Sequence, residues 1–217
     1  MTRRPWARRI SVTAVSVAAL AALAVPAEAA GTAAGTDGTA SASAGASASA
    51  SAAKVDHATW QKDCQAVMDQ ALPYLKDRIA AAGPGEKQAI VFDIDNTTLE
   101  TDFGFHFPQP ANKPVLDVAK YAQAHGVSLF FVTARPGIIE DPTEWNLKYD
   151  GYNVSGLYVR GFLDLFKDVA AYKTAQRTDI ERKGYTIIAN IGNSATDLSG
   201  GHAEKTYKLP DYDGQLS

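Results

Sequence analysis

The sequence predicts an α/β protein: a three-layer α/β/α sandwich built on a mostly parallel, Rossmann-like sheet, with no large cap domain. Short apolar runs typical of buried strands alternate with segments of helical periodicity between residues 88 and 209. Such alternation indicates a parallel sheet with helices on both faces. The segments between the strands are also too short to hold a large second unit.

The predicted helices are defined by apolar spacing and by the residues that end them. Residues 56–82 carry apolar side chains at helical spacing, with Pro73 expected to kink or divide the helix and Gly83 to end it. Residues 112–125 have Pro114 near the start and Gly126 just past the end. Gly151 and Gly184 close two further predicted helices. These two helices cover residues 143–149 and 174–183.

The predicted strands are short and apolar. The first covers residues 88–93 and the second residues 127–132. The others cover residues 157–160, 185–191 and 206–209. Asp93, Thr133 and Gly192 then each lie at the carboxyl end of a strand, where ligands bind in sheets of this kind.

The chain divides into an export signal, a linker and one domain. Residues 1–29 contain four arginines, an apolar run and the cleavage pattern Ala27-Glu28-Ala29, which predicts a signal peptide. An uncleaved anchor is the alternative, and the general route is favoured over the twin-arginine route. Residues 30–53 are almost entirely Ala, Ser, Gly and Thr and predict a disordered linker. Residues 54–217 form the predicted domain, so we expect a secreted protein without stable membrane association after cleavage.

Composition excludes some partners. Without residues 1–29, 17 basic side chains face 23 acidic ones, and this acidic balance argues against a nucleic-acid partner. Cys64 is the only cysteine, so no disulfide can form within the chain. The oligomeric state is left open by the sequence.

Two carboxylates follow the first strand. Asp93 stands at its tip and Asp95 two residues later, which suits division of labour between a nucleophile and a proton donor. Acids that merely solvate a turn are the common alternative for this spacing.

Three further strand- or helix-end segments carry polar groups. Thr133 could bind a phosphoryl oxygen or simply cap the next helix, and Lys173 near a predicted helix start could serve a site or the surface. Gly192 permits a tight turn after the fourth strand. Asn193 and Asp197 beyond it could offer oxygens to a cation.

Together and in this order, these segments resemble the four motifs of the haloacid dehalogenase superfamily. They are most similar to its exported acid phosphatases, which include the class B and C enzymes, plant acid phosphatases and vegetative storage proteins. Asp93-x-Asp95-x-Thr97 matches the first motif, Thr133 the second and Lys173 the third. The similarity covers about residues 88–209.

The resemblance implies hydrolysis of small phosphomonoesters through an aspartyl-phosphate on Asp93. Asp95 would then be the general acid and base, and Thr133 and Lys173 would bind the phosphate. A Mg²⁺ ion would be held by Asp93, the backbone carbonyl of Asp95, and Asn193 and Asp197. Oxygen ligands of this kind favour Mg²⁺ over softer metals.

The chain departs from the family at the fourth motif, where Asn193 replaces the usual aspartate. An amide oxygen can bind Mg²⁺ but carries no charge, so we expect weaker metal binding. The alternative function is a non-catalytic phosphate- or metal-binding protein of the storage type, and a phosphotransferase is a third. The loop of residues 101–113 is expected either to wall the site with Phe103, Phe105 and Phe107 or to plug the core.

Overall fold

The computed structural model describes residues 54–216, and their centre is a five-stranded sheet. The predicted signal peptide and linker lie outside the described residues. The strands are β1 (Lys87–Phe92), β2 (Ser128–Pro136), β3 (Val154–Arg160), β4 (Tyr185–Gly192) and β5 (Thr206–Lys208).

The strand order is β3-β2-β1-β4-β5, and every pairing is parallel. The chain moves outward from β1 to β2 and β3, then returns to place β4 on the other side of β1. The direction of the order therefore reverses between β1 and β4. Ligands in such sheets bind beyond the carboxyl ends of the strands at this reversal.

Within the described residues, five α-helices surround the sheet: α1 (His57–Ala80), α2 (Lys113–Ala124), α3 (Glu140–Asp150), α4 (Val169–Arg182) and α5 (Ala195–Leu198). Short 3₁₀ helices, Gly137–Ile139 and Phe162–Phe166, follow β2 and β3. In the part of the chain described, no helix combines the length and the apolar character needed to cross a membrane.

Pro73 lies inside α1 and does not divide it. The helix continues past Pro73 to Ala80. Met68 and Leu75 on either side of the proline are fully buried in the core. Tertiary packing of this apolar face outweighs the hydrogen bond that proline removes.

The sheet is covered on both faces. Ile90 and Phe92 of β1 join a core that contains residues of α1 and α2. Ala89 and Val91 alternate with them and join a second core that contains Ile180 of α4. Successive side chains of a strand point to opposite faces, so the helices form two layers around the sheet. The predicted three-layer α/β sandwich is confirmed.

The start of α4 differs from the sequence expectation in a way that affects Lys173. Asp168 caps the helix by accepting a hydrogen bond from the Ala171 amide at 2.8 Å, and the helix begins at Val169. With Asp168 as its cap, the helix thus begins five residues before the expected start at Thr174. Lys173 therefore lies a full turn inside α4, so its placement needs another explanation than the helix end.

Candidate active site

A cavity of about 330 Å³ lies beyond the carboxyl ends of β1 and β4, where the strand order reverses. Five residues singled out from the sequence line it: Asp93, Asp95, Lys173, Asn193 and Asp197. They come from three distant parts of the chain. Parallel strands bring their carboxyl ends to one edge of a sheet, and α4 delivers Lys173 to the same edge.

Lys173 lines this cavity and bridges two carboxylates. Its Nζ atom donates hydrogen bonds to Asp93 Oδ1 and to Asp197 Oδ1, both at 2.5 Å. All three side chains are less than a tenth exposed. One buried cation therefore pairs with two buried carboxylates.

Burial and charge act in opposite directions on this group. Burial raises the pKa of Asp93, because a carboxylate removed from water is poorly solvated; Lys173 opposes the rise and Asp197 adds to it. Burial alone would lower the pKa of Lys173, but Asp93 and Asp197 outweigh it and the net pKa is raised. An additional cation near Asp93 would favour its ionised form.

Hydrogen bonds hold both the side chain and the backbone carbonyl of Asp197. Its Oδ2 atom accepts a hydrogen bond from the Ser194 amide at 2.8 Å. Its backbone carbonyl accepts hydrogen bonds from Arg177 Nη1 at 2.7 Å and from Asn190 Nδ2 at 2.9 Å. Arg177 is fully buried and stands four residues after Lys173 on α4. That helical spacing was visible in the sequence, but the carbonyl partners of Arg177 were not.

The role of Gly192 differs from the one expected. A Cβ atom at this position would lie 2.4 Å from Asp197 Cβ, far inside van der Waals contact. Glycine is needed here because Asp197 packs directly against the end of β4. Close approach, rather than a tight turn, explains the residue.

Thr133 lies beneath the cavity wall rather than on it. The wall next to β2 is formed by Ala134, while Thr133 is fully buried. The Thr133 hydroxyl accepts a hydrogen bond from the Arg135 amide at 3.1 Å. The structure therefore brings the backbone after Thr133, more than its side chain, to the site.

The Asn193 amide is held in one orientation. Its Nδ2 atom donates to the Leu216 carbonyl at 2.7 Å, and its Oδ1 atom accepts from Thr97 Oγ1 at 3.3 Å. The second contact is longer than most O–H···O hydrogen bonds, so the amide oxygen retains acceptor capacity. This oxygen faces the first motif, in which Thr97 follows Asp95 by two residues.

The oxygens near Asp93 fit a hard cation, although acidic side chains alone do not enclose one. Within residues 54–216, no group of three or more His, Cys, Asp or Glu side chains could hold a metal ion. A cation beside Asp93 would depend on carbonyl and amide oxygens, such as the Asp95 carbonyl and the Asn193 side chain. Such all-oxygen sets suit Mg²⁺, which usually keeps several water ligands.

Asp95 has a partner that sequence reasoning left unassigned. Arg135 Nε lies 3.1 Å from Asp95 Oδ2, and Arg135 Nη2 lies 2.8 Å from Asp95 Oδ1. The spacing of 40 residues between the two side chains carries no signal in the sequence, whereas adjacent parallel strands bring them together.

A second cavity of about 460 Å³ adjoins the first, and Asp95 and Thr101 line both. The loop of residues 101–113 serves it in two ways. Phe103 stacks on Trp60 of α1, with ring centroids 4.6 Å apart, and so packs against the core. Phe105 and Phe107 are exposed and line the cavity. Phe103 thus packs on the core, as one expectation for this loop has it, whereas Phe105 and Phe107 line the adjoining cavity.

Comparison with known proteins identifies the family. The model of the HAD superfamily, subfamily IIIB (Acid phosphatase), matches residues 16–109 and 106–215. The chain belongs to this acid phosphatase family. The resemblance drawn from the four motifs is confirmed.

Relatives of this acid phosphatase-family chain include two soybean (Glycine max) proteins. The chain is 36% identical over 175 residues to the stem 28 kDa glycoprotein, covering 70% of this chain and 67% of that one. It is also 36% identical to a stem 31 kDa glycoprotein, covering 70% of this chain and 59% of the relative. The chain thus spans about two thirds or less of these relatives.

Solved structures support the same fold. The class C acid phosphatase from Bacillus anthracis has a TM-score of 0.57 and 17% identity, and the match covers 72% of this chain and 80% of that one. The structure of the Bacillus anthracis enzyme with tungstate bound has a TM-score of 0.56 and 16% identity, with the same coverage. At this identity the likeness concerns the fold.

Proposed function

We propose that this protein is an exported phosphatase that hydrolyses small phosphomonoesters through an aspartyl-phosphate on Asp93. The main support is that Lys173 Nζ lies 2.5 Å from one Asp93 oxygen, with both side chains buried at the cavity. A lysine in this position orients the carboxylate and can also bind the oxygens of an incoming phosphoryl group. Membership of an acid phosphatase family supports the reaction class.

The proposed reaction has two steps. Asp93 attacks phosphorus, the bond from phosphorus to the ester oxygen breaks, and Asp95 donates a proton to the departing oxygen. Water then attacks the aspartyl-phosphate, Asp95 takes its proton, and inorganic phosphate leaves as Asp93 is restored. Lys173 and the backbone after Thr133 would hold the phosphoryl oxygens through both steps.

Charge balance supports the need for Mg²⁺. Four carboxylates line the cavity (Asp93, Asp95, Asp102, Asp197), whereas three cationic side chains contact these aspartates (Lys173, Arg135, Arg177). A dianionic phosphate would add negative charge that these residues do not compensate. Bound Mg²⁺ would supply that compensation and stabilise charge on the transferring group.

The expected Mg²⁺ ligands differ in whether they have an oxygen atom available to bind the ion directly. Asp93, the Asp95 carbonyl and Asn193 offer oxygens beside the cavity. Both side-chain oxygens of Asp197 already accept hydrogen bonds, from Lys173 and from the Ser194 amide. We therefore propose that Asp197 acts on the metal through water, while it orients Lys173 directly.

The cavity beside Asp95 suits an apolar leaving group. Phe105, Phe107, Ile139 and Pro142 line it, and it opens next to the carboxylate that would protonate the ester oxygen. Aromatic or nucleoside leaving groups would fit such a wall, and an open site would accept many small monoesters. Comparable kcat/KM values across a panel of monoesters would support this breadth; strict selectivity for one would contradict it.

An assay with p-nitrophenyl phosphate tests the proposed reaction. Wild type should release p-nitrophenol in Mg²⁺ and lose this activity in EDTA. The Asp93→Asn variant should lose about 10⁴-fold or more, because the nucleophile is removed. Unfolding curves for both proteins would show that the variant is folded. Activity retained in folded Asp93→Asn would refute the aspartyl-phosphate.

A storage-type protein without catalysis is the second candidate. It is favoured by the uncharged Asn193 at a position where the family usually carries a carboxylate. The soybean relatives are named stem glycoproteins rather than enzymes. This candidate predicts that calorimetry detects phosphate binding while the assay above detects no turnover, even at high Mg²⁺.

Export can be tested separately. Cleavage after Ala29 would leave a mature chain that starts at Ala30. Mass spectrometry of the culture medium should find this species. A chain that stays with the membrane and retains its first residues would favour the uncleaved anchor instead.

A further inference from the structure

We infer that Arg135 is a positioning residue that holds the Asp95 carboxylate ready to accept the proton of the water that hydrolyses the aspartyl-phosphate. This inference rests on the proposed function and adds a residue to it. The observation behind it is the two-pronged contact between the guanidinium and the carboxylate.

The contact fixes the plane of the carboxylate. Arg135 Nε lies 3.1 and 3.2 Å from the two Asp95 oxygens, and Nη2 lies 2.8 Å from Oδ1. A planar guanidinium that meets both oxygens restricts rotation about the last bond of the aspartate. An ionised carboxylate has about four acceptor positions, so Asp95 can still accept a proton from water.

Asp95 needs such a restraint because it is not buried. Its side chain is 37% exposed, whereas that of Arg135 is 12% exposed. An aspartate at the junction of two cavities would otherwise exchange between rotamers in water. The less exposed arginine provides a fixed support for this carboxylate.

Arg135 is itself anchored at its other nitrogens. Nη2 also donates to Gln109 Oε1 at 2.7 Å, and Nη1 donates to Thr143 Oγ1 at 3.1 Å. The Asn146 side chain of α3 forms two hydrogen bonds with the Gln109 backbone: it accepts one from the amide at 2.7 Å and donates one to the carbonyl at 2.8 Å. Every guanidinium nitrogen is thus engaged, which favours positioning over contact with substrate charge.

The orientation of the Asp95 carboxylate matters most in the second step, the hydrolysis of the aspartyl-phosphate. A base must lie within hydrogen-bond reach of the proton it takes, and positioned general bases contribute about 10²–10⁴-fold to a rate. In the first step p-nitrophenolate leaves without needing a proton, so that step does not depend on Asp95 with this substrate. Loss of the Arg135 contact should therefore slow hydrolysis of the intermediate while leaving its formation nearly intact.

The test compares Arg135→Gln with wild type on p-nitrophenyl phosphate. We expect kcat to fall about 10²-fold and KM to fall with it, so that kcat/KM changes by less than about threefold. Rapid mixing should show a burst of about one p-nitrophenol per enzyme, and acid quench should trap the phosphorylated protein. Arg135→Lys, which keeps the charge but loses the fork, should show the same pattern at a smaller size.

Arg160→Gln is the matched control. Arg160 ends the neighbouring strand β3, and its guanidinium donates to the carbonyls of Asp164 and Lys167 rather than to Asp95. Its kcat and kcat/KM should stay within about twofold of wild type. Unfolding curves would accompany all three variants.

Several results would overturn the inference. Equal losses in kcat and kcat/KM would indicate general damage to the site, and a higher KM at unchanged kcat would indicate a substrate contact. Unchanged kinetics in Arg135→Gln would refute any role. If Arg135→Gln does not fold, the same criteria apply to Arg135→Lys. Absence of turnover in wild type would instead refute the proposed function.

Discussion

Two ion-paired regions of the site contain the same kinds of side chain but differ in exposure. In the buried charge cluster (Asp93, Lys173 and Asp197), side chains are at most 6% exposed, and one lysine pairs with two carboxylates. In the Asp95–Arg135 pair, one arginine holds one carboxylate at the edge of the solvent. In the first region, burial and the neighbouring charges hold the side chains in place. In the second region, the Asp95 carboxylate is held mainly by Arg135.

The difference suggests separate physical roles. Removing one member of a buried ion pair leaves a charge in a poorly solvated place, which destabilises a protein by about 3–5 kcal/mol. Removing one member of a partly exposed pair leaves a charge that water can solvate, and typical effects are about 0–1 kcal/mol. The buried charge cluster should therefore contribute to stability, whereas the Asp95–Arg135 pair should affect function almost alone.

The largest expected effect is that of Lys173→Met. Asp93 and Asp197 would lose their shared cation, and we expect the free energy of unfolding to fall by about 3–5 kcal/mol. Arg135→Gln should lower it by about 1 kcal/mol or less. Urea unfolding of both variants at pH 7 tests the comparison, and equal losses would show that exposure does not distinguish the two regions.

Gly192→Ala should disturb the buried charge cluster without removing a charge. The added methyl would displace Asp197 and, with it, Lys173. Overpacking of this kind usually destabilises by about 1–3 kcal/mol, and the phosphatase rate should fall as well. Gly83→Ala is the control, since the added Cβ would meet its nearest atom, Glu86 Oε2, at 4.0 Å. A Gly192→Ala variant as stable and active as this control would contradict the close-approach argument.

Asn193→Asp separates metal binding from folding. A carboxylate should bind Mg²⁺ about tenfold more tightly than the amide, seen as a larger Mg²⁺-induced rise in melting temperature. Without Mg²⁺ the variant should be less stable by about 1 kcal/mol, because it cannot donate to the Leu216 carbonyl. No gain in Mg²⁺ response would refute Asn193 as a ligand.

A small effect is expected at Asp150, at the outer end of the chain of hydrogen bonds that runs from Arg135 through Gln109 and Asn146. Asp150 accepts a hydrogen bond from Asn146, and burial raises the pKa of Asp150 to about 6. The native state therefore binds this proton more tightly than the unfolded chain, so the stabilising contribution is present below about pH 4 and is lost as the pH rises through 6.

Asp150→Asn should remove this pH dependence. We expect it to gain about 1 kcal/mol over wild type between pH 4.5 and 7, after allowance for solvent screening. The aspartate also ends α3, where a negative charge is unfavourable. Unfolding curves at the two pH values measure the gain, and a constant difference between them would rule out titration of Asp150 in this range.

Sequence patterns identified the elements better than their ends. The strands of the sheet carry short apolar runs, which are typical of buried strands. The start that the sequence predicts for each of the five lies within three residues of the observed start. The helix α4 starts earlier than the sequence pattern predicts, because Asp168 caps it by accepting a hydrogen bond from the Ala171 amide. This difference changes the account of Lys173, which is buried by packing on the sheet and is not a surface residue.

The sequence by itself determined which chemical groups the site can use, because strand periodicity and chain order place Asp93, Asp95 and Asn193 at the carboxyl ends of β1 and β4. Tertiary structure alone decided how those groups are paired. Whether Lys173 serves one carboxylate or two, and whether Arg135 meets substrate or Asp95, depends on distances between side chains 24 to 80 residues apart. The strength of a charge interaction depends on the distance between the charges and on their burial. Local sequence patterns give neither the distance nor the burial.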